Sequence, residues 1–274
     1  MKKLLLPTGI ALILLSCSKS SSPNNPSTPT SPTSNLVTSL VAFNPVNHSK
    51  STEKFKYDSS KNLVILNVRS DDTSQGVVYL DSGSWYFTID PISNLPVSYT
   101  TVFKKSNYTA NDVQLHNLYY DNQNRVILDS LISGTNQQGG LWSPSSFHYI
   151  YVNNLILGYD YGKNYGDPVI QNGYIDSMVL NNGNLVRKAG YSIYNGSLTA
   201  DFIYTVNGYS IDMNPLYIPD LSNSLGAYLV HENLFDGLSK NLTSDGGGNW
   251  VKDSSGRVVS GPGSFGDQFT FIYQ

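Results

Sequence analysis

The residue with the clearest chemistry is Cys17, the single cysteine in a chain of 274 residues. It closes the tetrapeptide Leu14-Leu15-Ser16-Cys17, with an apolar residue three positions before the thiol and a small residue directly before it. That is the spacing of a bacterial lipobox. The thiol is first loaded with diacylglycerol, and the signal peptidase then has to seat a small residue beside the modified cysteine. The preceding segment fits: Lys2 and Lys3 make a basic start, and Leu4 to Leu15 is apolar but interrupted by Pro7, Thr8 and Gly9. It is too short to span a bilayer as a helix and reads as a signal peptide. The competing reading is an ordinary secretory signal with a chance cysteine. The lipobox predicts a signal peptide over 1–16 and lipidated Cys17 as the first mature residue. A lone cysteine also rules out a disulfide framework, a cysteine-based zinc knuckle and thiol redox chemistry within the domain.

Other arrangements that could do chemistry are weaker. Gly261-Pro262-Gly263-Ser264-Phe265-Gly266 matches a dinucleotide fingerprint as a string, but no βαβ unit surrounds it and no helix can follow so close to the terminus. It reads as a glycine-rich turn before a last strand. The histidines, His48, His116, His148 and His231, are far apart and none forms an i, i+4 pair with another. They suggest surface or sheet-edge positions rather than a metal site. Asp71-Asp72 would point to opposite faces if extended. Glu232 and Asp236 could share a helical face only as solvated like charges. Asp245 to Asn249 with Asp253 lacks the alternating ligands of a calcium loop. The expected assignment is therefore no catalytic residue, no cofactor and no metal, with Cys17 lipidation as the one chemical site.

What must position these residues follows from composition. Charged residues make up 14% and aromatic residues 12%, including 20 tyrosines, with a formal net charge of −3. Removing residues 1–16 takes away two lysines and leaves 15 basic against 20 acidic side chains, a balance of −5. An acidic chain of this kind is a poor partner for nucleic acid. From Ser18 to about Asn35 the chain is Ser, Thr, Pro and Asn with one lysine, and Pro23, Pro26, Pro29 and Pro32 recur every third residue. Together with Cys17 this makes an extended tether over 17–35. Ser18, where inner-membrane retention signals often carry aspartate, favours outer-membrane sorting.

Residues 36–274 form short alternating runs punctuated by Asn, Asp and Gly, the pattern of antiparallel hairpins. Tight turns are expected at Asn153-Asn154, Asn182-Gly183, Asn195-Gly196 and Asn207-Gly208, and longer ones at Asp81-Ser82-Gly83-Ser84, Asn136 to Gly140 and Asp245 to Asn249. The predicted fold is one all-β domain, an antiparallel meander of hairpins forming a curved or barrel-like sheet. A short helical segment is expected near 220–241, where Leu221, Leu225, Tyr228 and Leu229 fall at helical spacing.

One hairpin recurs. Tyr57-Asp58-Ser59-Ser60-Lys61-Asn62-Leu63 aligns without gaps on Tyr120-Asp121-Asn122-Gln123-Asn124-Arg125-Val126 and on Lys252-Asp253-Ser254-Ser255-Gly256-Arg257-Val258, with a shortened copy at Asn181 to Val186. The aspartate is expected to accept backbone N–H bonds two or three residues on and close the turn. The copies lie at irregular distances, so they are a repeated hairpin and not a solenoid. These Tyr-Asp-x-x-x-Arg units resemble the YD-type hairpins of bacterial surface proteins. With Asn214-Pro215-Leu216-Tyr217, Leu238-Ser239-Lys240-Asn241 and a closing aromatic strand, residues 40–274 resemble Bacteroidota envelope lipoprotein domains of unknown function described as having a porin-like antiparallel sheet. The chain departs from the YD pattern at Lys252 and Asn62. The resemblance implies a fold and an envelope location, and no reaction.

The function expected is a cell-envelope lipoprotein, held to the membrane by its lipid anchor, whose β domain is a non-catalytic binding or structural module. Its tyrosines, its three tryptophans (Trp85, Trp142 and Trp250) and its asparagines suit glycan contact. The alternatives are a glycan-active hydrolase working through clefted aspartates and an accessory subunit of an outer-membrane protein.

Overall fold

Short alternating runs cut by turn residues favour paired strands over helices, because each run can bury one face only against a neighbour. The computed structural model describes residues 36–46, 48–72, 79–105, 108, 110–162, 172–206, 208–213, 241–243, 249–262 and 267–274. Every regular element among them is a strand. In chain order these are β1 (Val37–Phe43), β2 (Lys50–Tyr57), β3 (Leu63–Asp72), β4 (Tyr79–Ile89), β5 (Pro96–Lys104), β6 (Asp112–Tyr120), β7 (Val126–Thr135), β8 (Ser145–Val152) and β9 (Leu155–Gly162). They continue with β10 (Asn172–Asn181), β11 (Asn184–Tyr194), β12 (Ser197–Thr205), β13 (Tyr209–Met213), β14 (Asn241–Thr243), β15 (Val251–Lys252), β16 (Val258–Pro262) and β17 (Gln268–Tyr273).

Fifteen strands form one antiparallel sheet, and β13 and β14 pair separately. The expected meander runs unbroken from β1 to β12. At its start the chain does something a meander does not require: β17 pairs with the free edge of β1, Leu40 opposite Phe271, and β16 and β15 extend the sheet beyond it. The N-terminal strand is thus internal. Among the described residues no pairing joins β12 to β15, so the sheet is open there.

The core lies on one face. Leu40, Phe55, Leu66, Trp85, Phe87, Tyr99, Leu118, Tyr149, Ile156, Met178 and Phe271 occupy alternate positions on neighbouring strands and form one buried cluster. Aromatic rings dominate because they fill a pleated surface with few conformations to lose. Trp85 and Phe103 meet edge to face at 4.9 Å between centroids. Gly83 lies beneath them; a Cβ there would come within 2.6 Å of the Phe103 ring. This explains one correction: Asp81-Ser82-Gly83-Ser84, expected as a turn, runs inside β4. Its glycine serves ring packing within a strand and not chain reversal.

Other turns fall where expected. Asn182 and Gly183 have φ of 51° and 80°, and Asn195 and Gly196 have 49° and 75°, the left-handed pair that a two-residue hairpin needs. Asn207-Gly208 does not close a hairpin between its flanking strands, because β12 belongs to the large sheet and β13 to the small one. Asn207 itself, residues 244–248 of the Asp245 turn, and residues 220–240 of the expected helical segment lie outside the described residues; Asn241 begins β14.

Candidate functional site

Cys17 and the tether lie outside the described residues, as do His231, Glu232 and Asp236. The remaining candidates are separated by the sheet. His48 is exposed beside Phe43, with ring centroids 6.4 Å apart. His148 stacks on Tyr159 across β8 and β9 at 5.2 Å. Asp71 pairs with Arg69 at 2.9 Å. Asp58, Asp121 and Asp253 close turns. Among the described residues, no group of three or more His, Cys, Asp or Glu side chains is placed to hold a metal ion.

His116 is the exception to the bland reading of the histidines. Alternation along β6 puts Asp112, Gln114 and His116 on the core face, and the register with β5 and β7 brings Tyr99 and Asp129 to it. His116 Nδ1 lies 2.8 Å from Asp129 Oδ1 and Nε2 lies 3.1 Å from Gln114 Oε1. The Tyr99 hydroxyl donates to Asp129 Oδ2, and the Tyr99 and His116 rings stack at 4.5 Å. Gln114 Nε2 donates onward to Asp112 Oδ1 at 3.3 Å, which also accepts the Trp142 indole N–H at 2.8 Å. The row runs from buried Tyr99 to Trp142, whose ring is 39% exposed. The carboxylate of Asp129 is contacted on both oxygens, and the imidazole bridges Asp129 Oδ1 and Gln114 Oε1. Buried polar groups joined this way cost little and fix the register of three strands. A general acid or base needs reach to a substrate, and most of this pair is buried, with 14% of the His116 side chain and 6% of the Asp129 side chain exposed. The signal that could have found it is the same-parity series Gln114, His116, Leu118, Tyr120, which puts two polar groups on a core-facing row.

The opposite face presents a different chemistry. On β2, Lys50, Thr52, Lys54 and Lys56 alternate with core residues; cross-strand partners place Arg69 beside Thr52, Asn67 beside Lys54 and Asp71 beside Lys50. On β4, Ser82 and Ser84 lie opposite Arg69 and Asn67, and Lys104 of β5 lies opposite Ser82. Of these, Lys50, Thr52, Lys54, Asn67, Arg69, Asp71, Ser82 and Ser84 line a groove of about 570 Å³ that presents cations, hydroxyls, an amide and one carboxylate. Ser84 donates to Asn67 Oδ1 at 2.8 Å, which orients that amide.

The repeated turns sit along one rim, and tyrosines at the strand ends tie that rim together. The hydroxyl of Tyr57 donates to the Val37 carbonyl at 2.9 Å, Tyr151 to Val126 at 2.8 Å and Tyr273 to Val258 at 2.6 Å, and Tyr120 donates to Pro96. Each ring lies on the core side and spans to the first residue of the preceding strand. Burial pushes the Tyr57 phenol up to about 12. The same cause raises Tyr273 to about 12, with Arg257 acting against it.

No family model matches the chain, and no curated protein does. Among solved structures, the fold is similar to a porin-like protein from Bacteroides uniformis, with a TM-score of 0.47 and 11% sequence identity, covering 90% of this chain and 99% of that one.

Proposed function

We infer that this chain is a cell-envelope lipoprotein, anchored through Cys17, whose antiparallel sheet works as a non-catalytic binding or structural module. The observation that carries the reading is the division of labour between the two faces. Aromatic side chains fill one, and its His116–Asp129 pair is mostly buried beside Tyr99. The hydroxyl, amide and cationic side chains of β2–β4 stand on the other, where they reach solvent. The lipobox and the proline-spaced tether support an envelope location held off the lipid surface.

Two measurements test this. Cys17→Ser should move the protein from the membrane fraction to the soluble fraction of cells; continued membrane association sinks the anchor. Incubation with a panel of polysaccharides should release no reducing ends. Release that disappears in Asp129→Asn would replace the module by a hydrolase using that carboxylate.

A second reading, an accessory subunit docking through a sheet edge, draws on β12. That strand pairs only with β11 among the described residues and is exposed along nearly its whole length. Exposed Leu198 and Ile203 add apolar area to an open strand edge, which favours pairing with another chain. Cross-linking from β12 in intact cells tests it, and a strictly monomeric product overturns it.

A further inference from the structure

Positive charge is not spread evenly over this acidic chain. Lys50, Lys54, Lys56, Arg69 and Lys104 project from the same face of β2, β3 and β5, five of the 17 basic residues in the sequence. Other cations are committed elsewhere: Arg125 and Arg257 pair with the aspartates of their turns, and Lys188 is buried. Against the five stands Asp71, which pairs with Arg69 and lies opposite Lys50. Among the described residues no carboxylate forms an ion pair with Lys50, Lys54, Lys56 or Lys104. Arg69 stands diagonally across from Lys50 and Lys54, about 7–8 Å from each, so these three charges repel one another. The repulsion is relieved when an anion occupies the space between them.

The lining decides which anion. Between the cations stand Thr52, Asn67, Ser82 and Ser84, short hydroxyl and amide groups that pair with sugar hydroxyls, and Tyr86 is exposed at the neighbouring β4 position for stacking on a ring face. Apolar side chains border this face at β1, where exposed Phe43 stands opposite Lys50, and gather again on β8 and β9 at Ile150 and Leu157, so titration with vesicles decides between a sugar and a lipid surface. We propose that the outer groove of β2–β4 binds an acidic polysaccharide, its carboxylates or sulfates held by Lys50, Lys54 and Arg69, with Lys104 on the adjoining strand, and its hydroxyls by the serine, threonine and asparagine side chains between them. This rests on the reading of the sheet as a binding module and specifies its ligand class.

The test uses the full chain carrying Cys17→Ser, so that no acyl group contributes, in affinity electrophoresis and titration with polygalacturonate, dextran and phosphatidylglycerol vesicles. Polygalacturonate should retard the protein and dextran should not, and the retardation should fade with added salt. Lys54→Glu combined with Arg69→Glu should weaken binding at least tenfold with an unchanged unfolding midpoint. Lys252→Glu, a single charge reversal on β15, should leave it intact, whereas Lys54→Glu alone should already weaken it. Equal loss in the Lys252→Glu control overturns the groove in favour of bulk charge, and retention of binding in the double variant overturns it outright. Preferential capture by the vesicles replaces the polysaccharide with a lipid surface. Release of reducing ends from polygalacturonate would overturn the non-catalytic reading and leave the groove as the place of binding, so the two failures are distinguishable.

Discussion

The turn at Asp58–Asn62 and the turns at Asp121–Arg125 and Asp253–Arg257 share one backbone plan and differ in what they tie it to. In each, the aspartate N–H donates to the carbonyl four residues on, at 2.9 Å, and its Oδ1 accepts the N–H groups two and four residues on. Oδ2 then meets the residue that leads into the return strand. Arg125 and Arg257 donate to it from Nε at 2.7 and 2.8 Å. Their guanidinium planes lie 4.4 and 4.7 Å from the rings of Tyr151 and Tyr273 on the next strand. Asn62 donates to Asp58 Oδ2 at 3.0 Å and, with no plane of charge to stack, reaches sideways to Asn94 Oδ1 at 2.7 Å in the neighbouring turn. The lesson is that the aspartate builds the turn, and the residue four positions on decides which neighbour the turn is fastened to.

A fourth example isolates the turn from the charge. Asn136 repeats the same geometry, its N–H donating to the Gly140 carbonyl at 2.8 Å and its Oδ1 accepting from Gln138 and Gly140. A neutral side-chain oxygen is therefore sufficient for the backbone bonds, and the carboxylate is needed only for the arginine.

The largest expected effect comes from removing both roles at once. Asp121→Ala strips two backbone bonds and leaves Arg125 without its partner, a cost of about 2 kcal/mol measured by urea unfolding; a loss no greater than that of an ordinary surface substitution would mean the turn holds itself. Tyr151→Phe removes the bond to the Val126 carbonyl while keeping the ring under Arg125, and should cost about 1 kcal/mol. If it costs nothing, the guanidinium stack alone fastens that rim.

The next substitution should stabilise. The position before the closing residue is left-handed in all four turns, with φ of 70° at Lys61, 60° at Asn124, 81° at Gly139 and 84° at Gly256. Asparagine and glycine accept that conformation readily and lysine does not, so Lys61→Gly should raise stability by about 0.5–1 kcal/mol in thermal or urea unfolding.

The smallest effect at neutral pH belongs to Asp121→Asn, a few tenths of a kcal/mol, because Asn136 already shows that an amide oxygen closes the turn. Its consequence appears in acid. Burial works against ionisation of Asp121, but the backbone and guanidinium of Arg125 outweigh it and hold the carboxyl below the usual range. Asn62 lowers Asp58, and Ser255 with Arg257 lowers Asp253. For a depressed carboxyl the stabilisation is complete above about pH 4 and is lost as the pH falls through the folded-state value. Asp121→Asn should therefore flatten the loss of stability below about pH 4, and an unchanged acid limb would show that other groups govern it. Alkali acts in the opposite sense on Tyr57. With its phenol raised to about 12, its contribution is complete below about pH 10 and fades as pH climbs, so Tyr57→Phe should remove part of the alkaline loss.

How much could be read in advance tracks the sequence distance over which each feature is decided. The three aspartate turns were legible because five consecutive residues contain their backbone donors and acceptors, although the second bond reaches the N–H four residues on where two or three were expected. The paired left-handed residues at Asn182-Gly183 and Asn195-Gly196 were legible for the same reason. Gly83 misled because a glycine among Asp and Ser looks like a reversal, whereas its purpose lies across the sheet in the ring of Phe103. Asn136 to Gly140 was legible as a turn but not as a fourth copy, since asparagine replaces aspartate and glycine the arginine.

By itself the sequence determined the lipobox at Cys17 as an expectation, the all-β character and the chemistry of the turns, all of which depend on neighbours within a few residues. Only the tertiary structure decided that β17 would pair with β1, that Tyr99, His116 and Asp129 would share one buried network, and that Lys54, Arg69 and Lys104 would stand on one surface. Each of those depends on strand register, where a shift of one residue moves every side chain to the opposite face. Register in turn is set by the joint packing of aromatic side chains on strands far apart in the chain.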